Sequence, residues 1–335
     1  MSTPSDPIPA GLLFPSTNIW NTPVDTAPLH PLNAQWMDLI NGHTAHPLHP
    51  DFGYMYAGHY NGIPYNLVGN STPLVKVTFA PNAYISESDP LPAAGIPVPA
   101  GVFIEGDPVP VDLTGDRHCI LIDVDNKILH EFFQATRMPD GTGQVMGYSR
   151  WDLTSNALRT DGWTSADAAG LPILPGLVRW DEIQAGAINH ALRFTLSLTW
   201  KPHLWPARHD APSGSALNPP MGMRVRLKST FDISAYSQTN QIILKALKKH
   251  GMILADNGGD WFISGAPNPN FNDSDLHLLT QITPSTAFEV VDVSGLMVDP
   301  NSAQAGGSIP PPPPPPPAPS TITISGSKFT LTYTP

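Results

Sequence analysis

Short runs of apolar side chains, some uninterrupted and some alternating with polar residues, recur along most of the chain, and such runs predict β-strands. The predicted strands cover residues 75–79, 102–105, 118–123, 128–134, 188–199, 223–228, 252–255, 261–264 and 288–292. Helical spacing of apolar residues is rarer and predicts three short helices, at residues 32–40, 237–249 and 273–282. Because helices do not alternate with strands, a parallel α/β sheet is disfavoured. The pattern predicts a mainly β fold, an antiparallel β-sandwich or jelly-roll-like domain with long ordered loops and two or three short helices.

The two predicted strands within residues 118–134 are joined by a short turn that begins at Asp125, which indicates an antiparallel hairpin. In that register Ile120 lies opposite Glu131. Strand alternation then puts His118 on the same face as Glu131. A histidine and a carboxylate are therefore predicted to lie on one surface of the sheet, although a one-residue slip would separate them.

The strand predicted at residues 188–199 has two distinct faces. His190 is in phase with the apolar residues, whereas Arg193 and Thr195 share the polar face. His190 can be a core histidine with backbone partners or a site residue at the end of the apolar stripe. Further along, the segment Asp256–Gly259 predicts a tight hairpin turn between the strands on its two sides.

A composition change near the C-terminus predicts a domain boundary. Residues 1–300 form the predicted β-rich globular domain, and residues 301–319 a proline-rich linker. Eight consecutive prolines at 310–317 favour a stiff polyproline II rod. Residues 320–335 alternate Thr or Ser with apolar residues, which predicts two short strands that begin a truncated C-terminal module.

Composition and charge narrow the range of possible partners. The formal net charge is −11 and no run of basic residues is present, which argues against nucleic acid. No membrane span is predicted. The single cysteine, Cys119, allows no intrachain disulfide and belongs to an apolar strand. The proline-rich linker and the weakly acidic, polar surface predict a secreted, extracellular protein, and its signal peptide is taken to be absent from this sequence.

Candidate catalytic residues come from the predicted sheet surface and from the segment at residues 205–210, which packs Trp, Arg, His and Asp together. A base and an acid of different pKa are what hydrolysis or elimination requires. The candidate catalytic residues are His118, Glu131, His190, Arg208 and His209. A divalent metal on His118, His190 and His209 is the alternative, but no metal-binding spacing supports it, and no cofactor is predicted.

Aromatic residues in long loops predict a carbohydrate-binding surface, because flat rings flanked by polar groups suit sugars. The loop at residues 150–180 and the tyrosine cluster at residues 54–65 carry this signal. The same rings could be satellite cores beneath loops. The candidate substrate-binding residues are Trp163, Trp205, Arg159, Arg179 and Tyr54.

Several segments resemble a group of secreted, mostly uncharacterised bacterial proteins that are often joined to linkers and sandwich modules. They are Asp116-Arg-His118, Gly-Trp-Thr-Ser-Ala-Asp-Ala-Ala-Gly-Leu-Pro from Gly162, Ile-Asn-His-Ala-Leu-Arg-Phe from Ile188, Trp-Pro-Ala-Arg-His from Trp205, and Ala-Asp-Asn-Gly from Ala255. The resemblance covers roughly residues 13–292. It implies one compact unit and an extracellular setting, and it implies no activity and no catalytic residues.

Three functions follow as expectations. The first is an extracellular polysaccharide-active enzyme, a glycoside hydrolase or polysaccharide lyase, with a His/Glu/Arg cleft lined by Trp and Tyr. The second is a non-catalytic carbohydrate-binding or adhesion module that holds a cell-surface glycan. The third is a structural filament or sheath protein, in which the C-terminal strands would add to a neighbouring sheet.

Overall fold

A computed structural model describes residues 4–43, 46–107, 115–138 and 141–306, and two short strands at 320–322 and 331–333. The α-helices are α1 (Asn33–His43), α2 (Trp180–Ala185), α3 (Gln238–Lys249), α4 (Asp273–Leu276) and α5 (Pro284–Ala287). Single 3-10 turns lie at Ile85–Glu87, Leu174–Gly176, His277–Gln281 and Ser294–Leu296. The strands are β1 (His49–Asp51), β2 (Met55–Tyr56), β3 (His59–Tyr60), β4 (Tyr65–Val68), β5 (Leu74–Val75), β6 (Val77–Phe79), β7 (Ile96–Pro97), β8 (Cys119–Asp123), β9 (Ile128–Phe133), β10 (Thr136–Arg137), β11 (Gly143–Val145), β12 (Gly147–Asp152), β13 (Leu192–Leu196), β14 (Arg224–Leu227), β15 (Met252–Asn257), β16 (Phe262–Ser264), β17 (Phe288–Val291), β18 (Ser320–Ile322) and β19 (Leu331–Tyr333).

The largest sheet has six strands in the order β1-β16-β13-β15-β14-β17. Its central strand β13 pairs in parallel with β15 and antiparallel with β16. Leu192, Phe194 and Leu196 of β13 are buried in the largest apolar core, together with residues of β15 and α3. The side chains between these residues of β13 therefore point to the opposite face of the sheet.

A second sheet has four strands in the order β12-β9-β8-β4. In the β8–β9 hairpin Ile120 lies opposite Glu131, so the predicted register is confirmed. The strand β4 joins β8 in parallel, which places residues from the first quarter of the chain beside the hairpin. A separate apolar cluster that includes Ile120, Ile122 and Leu129 holds one face of this sheet.

The mainly β composition with few short helices is confirmed, and the sheets are curled. Strand direction differs from the expectation, because β1–β16, β4–β8, β6–β11 and β13–β15 are parallel pairs. The sandwich or jelly-roll arrangement stays a prediction. The hairpin predicted at Asp256–Gly259 is wrong, since β13 lies between β15 and β16. The strand predicted at 102–105 is an irregular loop.

The C-terminal end of the globular body folds back over it. The Trp205 indole donates a hydrogen bond to the Ser302 carbonyl, and Arg208 donates to the Pro300 carbonyl and the Asn301 side chain. After the prolines, β18 and β19 form an antiparallel pair, and the assignment of this segment to a truncated module stays a prediction. The proline run itself lies outside the described residues. Across the parts of the chain that are described, no helix combines the length and apolar character needed to cross a bilayer.

Candidate active site

A cavity of about 390 Å³ lies against the polar face of β13 and opens to solvent. We call it the acidic cleft. Strands of the six-stranded sheet, the strand β3 and several loops, including the segment just before β8, contribute to its walls. Its walls include Asp51, His59, Tyr60, Glu105, Asp116, His118, Arg193, Thr195, Asp256, Asn257, Phe262 and Ser264.

The alternation of β13 brings the first of these groups into place. Because Phe194 and its apolar neighbours face the core, Arg193 and Thr195 face the cleft. A bulge between Phe194 and Thr195 shifts the pairing so that Thr195 lies opposite Asp256 at the end of β15. Bulges of this kind re-aim side chains beside functional sites. The local strand geometry thus sets a carboxylate next to an arginine.

Arg193 is tied to Asp167, which is completely buried beneath the cleft. The guanidinium donates to both carboxylate oxygens of Asp167, at 2.9 and 2.5 Å, and a third hydrogen bond goes to the Ser264 hydroxyl. Burial alone would lower the pKa of Arg193, but the charge of Asp167 outweighs it and raises that pKa. Such a bidentate pair is a strong, fixed unit.

Asp256 lies on the solvent side of this pair. Its carboxylate is 3.7 Å from the Arg193 guanidinium, and its side chain is 19% exposed in the cleft. Burial, followed by the negative charge of Asp167, raises the pKa of Asp256 well above its ordinary value. A side-chain hydrogen bond to Asp167 acts in the same direction. Asp256 is thus a carboxyl group with a raised pKa that faces the cleft.

Glu105 and His118 form a second unit across the cleft. The Glu105 Oε2 atom accepts hydrogen bonds from the His118 Nδ1 atom at 2.7 Å and from the His118 backbone N–H at 3.1 Å. The Nε2 atom of His118 lies 3.0 Å from the Ala166 carbonyl oxygen. Burial would lower the pKa of His118, but the Glu105 charge and hydrogen bond raise it to about 9. His118 is therefore an imidazolium that donates from both nitrogens.

The same pairing acts in the opposite direction on Glu105. Burial disfavours its charge, but the charge and hydrogen bonds of His118 outweigh burial and lower the pKa of Glu105. Its side chain is 28% exposed, so the ionised carboxylate reaches the cleft. The cleft thus presents one carboxyl group with a raised pKa, Asp256, and one with a lowered pKa, Glu105. Environments that separate two carboxyl pKa values in this way are typical of acid–base pairs.

Two further carboxylates, Asp51 and Asp116, line the cleft without hydrogen-bonding partners among the described residues. Partial removal of water raises the pKa of each, and the charge of Glu105 adds to the effect. The two cations of the cleft, His118 and Arg193, are each paired with a carboxylate. The accessible charge of the cleft is therefore negative.

A second depression, of about 310 Å³, continues the acidic cleft and shares Asp116, Asp256 and Asn257 with it. We call it the tyrosine depression, because an exposed Tyr84 lies at its wall beside Phe133. Its other lining residues include Glu87, Thr164, Ser165, Ala168 and His209. The Asp116 and Asp256 carboxylates thus lie where the two depressions meet.

Of the five candidate catalytic residues, His118 lines the acidic cleft and His209 lines the tyrosine depression. Glu131 lies opposite Ile120 of β8 but is completely buried, and His118 precedes β8. Its carboxylate accepts hydrogen bonds from the Ile173 and Leu174 backbone N–H groups and from the Trp151 indole. Burial raises the pKa of Glu131 to about 7. Glu131 therefore anchors the 3-10 turn that begins at Leu174 and does not reach the cleft.

His190 and Arg208 lie in structural clusters away from both depressions. The Nε2 atom of His190 is 3.0 Å from Glu182, which also pairs with Arg179 at 2.8 Å. Arg208 is buried and holds the C-terminal end of the body, as described above. Both residues were chosen as candidates because of their residue type. Each side chain is buried and has backbone partners, so its position needs no ligand to explain it.

The candidate substrate-binding residues are also dispersed. Trp163 and Arg159 line a third depression of about 270 Å³, where the Arg159 guanidinium lies 5.6 Å from the Trp163 ring centre. Trp205 packs against the C-terminal segment, and Arg179 is buried in its ion pair with Glu182. Tyr54 is 38% exposed and lies beside Tyr60 of the acidic cleft, with ring centres 6.2 Å apart.

The three histidines of the metal alternative are not brought together. His118 and His190 each contact a different glutamate, and the Nδ1 atom of His209 lies 2.8 Å from the Ala168 carbonyl oxygen. No group of three His, Cys, Asp or Glu side chains within the described part of the chain is arranged to hold a metal ion.

Sequence reasoning missed Glu105, Asp116, Arg193 and Asp256. Two signals could have found them. Asp116 lies shortly before and Asp256 directly after an apolar run, and Arg193 is a charged residue within an otherwise apolar strand. Glu105 likewise ends the apolar run at residues 102–104, but its pairing with His118 depends on a loop fold that the sequence does not predict.

The comparisons with known proteins find no family model, no curated protein and no solved structure that matches the chain.

Proposed function

We propose that this protein is an extracellular glycoside hydrolase that cleaves a polysaccharide in the acidic cleft. The observation that carries the proposal is a pair of carboxyl groups that line one cleft and have opposite pKa shifts, raised for Asp256 and lowered for Glu105. Hydrolysis of a glycosidic bond generally uses two such groups, an acid for the leaving oxygen and a base for the attacking water. Asp256 and Glu105 supply these two groups.

In the proposed reaction Asp256 donates its proton to the glycosidic oxygen as the bond to the anomeric carbon breaks. Glu105 accepts a proton from the water that attacks that carbon. Exchange with solvent then moves the extra proton from Glu105 and returns one to Asp256. His118 is a positioning residue, because its two hydrogen bonds to Oε2 fix the Glu105 carboxylate. Arg193 positions Asp167 and so keeps the proton on Asp256.

The charge of the cleft favours hydrolysis over cleavage by a lyase mechanism. A lyase acts on uronates and has to neutralise the sugar carboxylate, whereas both cations of the described cleft are already paired. A negative cleft suits neutral or amine-bearing sugars. We therefore propose a neutral or cationic polysaccharide as the substrate.

The test is hydrolysis of a polysaccharide panel by the wild-type protein and by single variants. Asp256→Asn and Glu105→Gln remove the acid and the base, and each is expected to lower the rate about 10²- to 10⁴-fold. Asp38→Asn, on an exposed side of α1, is the matched control and keeps full activity. The pH–rate profile is expected to be bell-shaped, with Glu105 on the acid limb and Asp256 on the alkaline limb.

Three outcomes would count against the proposal. Full activity of both variants would remove the acid–base assignment. Retention of an intact glycan by the wild-type protein would favour a binding module, and unsaturated products would favour a lyase.

A further inference from the structure

We infer that the substrate chain occupies the acidic cleft and the tyrosine depression at once, with Tyr84 as a sugar platform, so that cleavage takes place inside the polysaccharide. This inference rests on the proposed function and adds the substrate's extent and a second binding subsite.

Asp256 and Asp116 belong to the walls of both depressions, which are about 390 and 310 Å³ in volume. A general acid protonates the oxygen that joins two sugars, so it has to lie between the two binding positions. An enzyme that removed only terminal sugars would need one enclosed pocket beside its acid. Here the space continues on both sides of Asp256.

Aromatic rings lie on both sides of the acid as well. Tyr60 and Phe262 line the acidic cleft, and Tyr84 and Phe133 line the tyrosine depression. Tyr84 is 52% exposed, and its ring centre lies 6.2 Å from that of Phe133. An exposed ring backed by a second ring at a polar cavity offers the flat, amphipathic surface that a sugar ring covers.

The remaining walls of the tyrosine depression are polar and ordered. The Thr164 backbone N–H donates to Glu87 at 3.1 Å, and the Nε2 atom of His209 lies 3.6 Å from the same carboxylate. Arg159 donates to the Glu87 and Thr164 carbonyl oxygens and so joins the two loops that form the wall. The depression is therefore built before a ligand arrives, as expected of a subsite.

The first test compares Tyr84→Ala, Tyr84→Phe and Tyr56→Ala on mixed-linkage glucan, xylan, mannan and chitosan, and on a disaccharide aryl glycoside of the polymer that is cleaved. Tyr84→Ala is expected to lower kcat/KM on the polymer about tenfold, equivalent to about 1.4 kcal/mol. It leaves the short substrate within about twofold of wild type. Tyr84→Phe keeps the ring and retains activity. Tyr56 is 76% exposed and lines neither depression, so Tyr56→Ala is the control.

The second test is the product pattern. Internal cleavage lowers the viscosity of the polymer solution well before many reducing ends appear, whereas terminal cleavage releases small sugars first. Loss of hydrolysis in Asp256→Asn, together with equal polymer rates for Tyr84→Ala and Tyr56→Ala, would overturn this inference and leave the proposed function standing. Immediate release of small sugars without loss of viscosity would also overturn it. No cleavage of any polymer by the wild-type protein would overturn both.

Discussion

At the scale of single residues, the fold separates carboxyl groups that look alike in the sequence. Burial raises the pKa of Asp256 and the carboxylate of Asp167 adds to this effect, whereas the imidazolium of His118 outweighs burial and lowers the pKa of Glu105. Glu131 differs from both, since its oxygens are used by backbone and indole donors. Burial and neighbouring groups together decide which carboxyl can act on a substrate.

The structural role of Glu131 gives a prediction for stability. Glu131→Ala leaves two backbone N–H groups and the Trp151 indole without their acceptor in a fully buried position. Each unsatisfied donor costs about 1–3 kcal/mol, so the free energy of unfolding is expected to fall by about 3 kcal/mol or more. Urea unfolding measures this change. Glu131→Gln keeps one acceptor oxygen and is expected to lose less.

Activity separates this role from catalysis. The fraction of Glu131→Gln that folds should hydrolyse substrate at the wild-type rate, in contrast to Glu105→Gln. A stable Glu131→Gln protein that lacks activity would show instead that Glu131 takes part in the reaction.

At the scale of helices and strands, the sequence predicts what depends on local spacing. The β8–β9 register follows from a short turn and alternation, and α3 follows from its apolar spacing and the lysines of its last turn. Contacts between distant segments cannot be read in this way. Nothing local reveals that β13 enters between β15 and β16, and this pairing is what sets Arg193 and Thr195 beside Asp256. The candidate site could therefore be predicted only in part from the sequence. His118 was identified, and its partner Glu105 was not.

The start of α3 provides a prediction at the same scale. The Ser237 hydroxyl accepts a hydrogen bond from the Asn240 backbone N–H at 3.1 Å and donates one to Asp275 at 2.6 Å, so it caps α3 and ties it to α4. Ser237→Ala is expected to lower the free energy of unfolding by about 1 kcal/mol. Ser229→Ala, at an exposed position before the helix, is expected to change it by less than about 0.5 kcal/mol. Equal values for the two variants in thermal or urea unfolding would contradict the capping role.

At the scale of the whole molecule, the ion pairs that shift the pKa values of the site also connect segments that are distant in the chain. Arg193 of the six-stranded sheet holds Asp167, and His118 at the edge of the four-stranded sheet holds Glu105 and the Ala166 carbonyl. The cleft therefore lies where the two sheets are connected by buried charged groups. Changes of pH that break these pairs should affect stability as well as activity.

The His118–Glu105 pair makes this link measurable. The folded state raises the pKa of His118 from 6.5 to about 9, so the stabilisation is complete below pH 6.5 and is lost as the pH rises through about 9. A shift of this size corresponds to about 3 kcal/mol. Glu105 has a lowered pKa, so its contribution is present above its ordinary value of 4.5 and is lost as the pH falls below it. The pair therefore stabilises the protein most strongly from about pH 4.5 to 6.5 and through neutrality.

Urea unfolding of wild type and His118→Gln at pH 7 and pH 9.5 tests this stabilisation. The wild-type protein is expected to lose about 2 kcal/mol between the two values, and His118→Gln to lose much less because it has no imidazolium to deprotonate. His277→Gln, at an exposed histidine, should behave like wild type. Parallel pH dependence in all three proteins would mean that the alkaline loss arises elsewhere and that His118 is not charged in the folded state. If only His118→Gln shows a smaller change in the free energy of unfolding with pH, the stability of the fold depends on the His118 proton. That proton also positions the proposed base, Glu105.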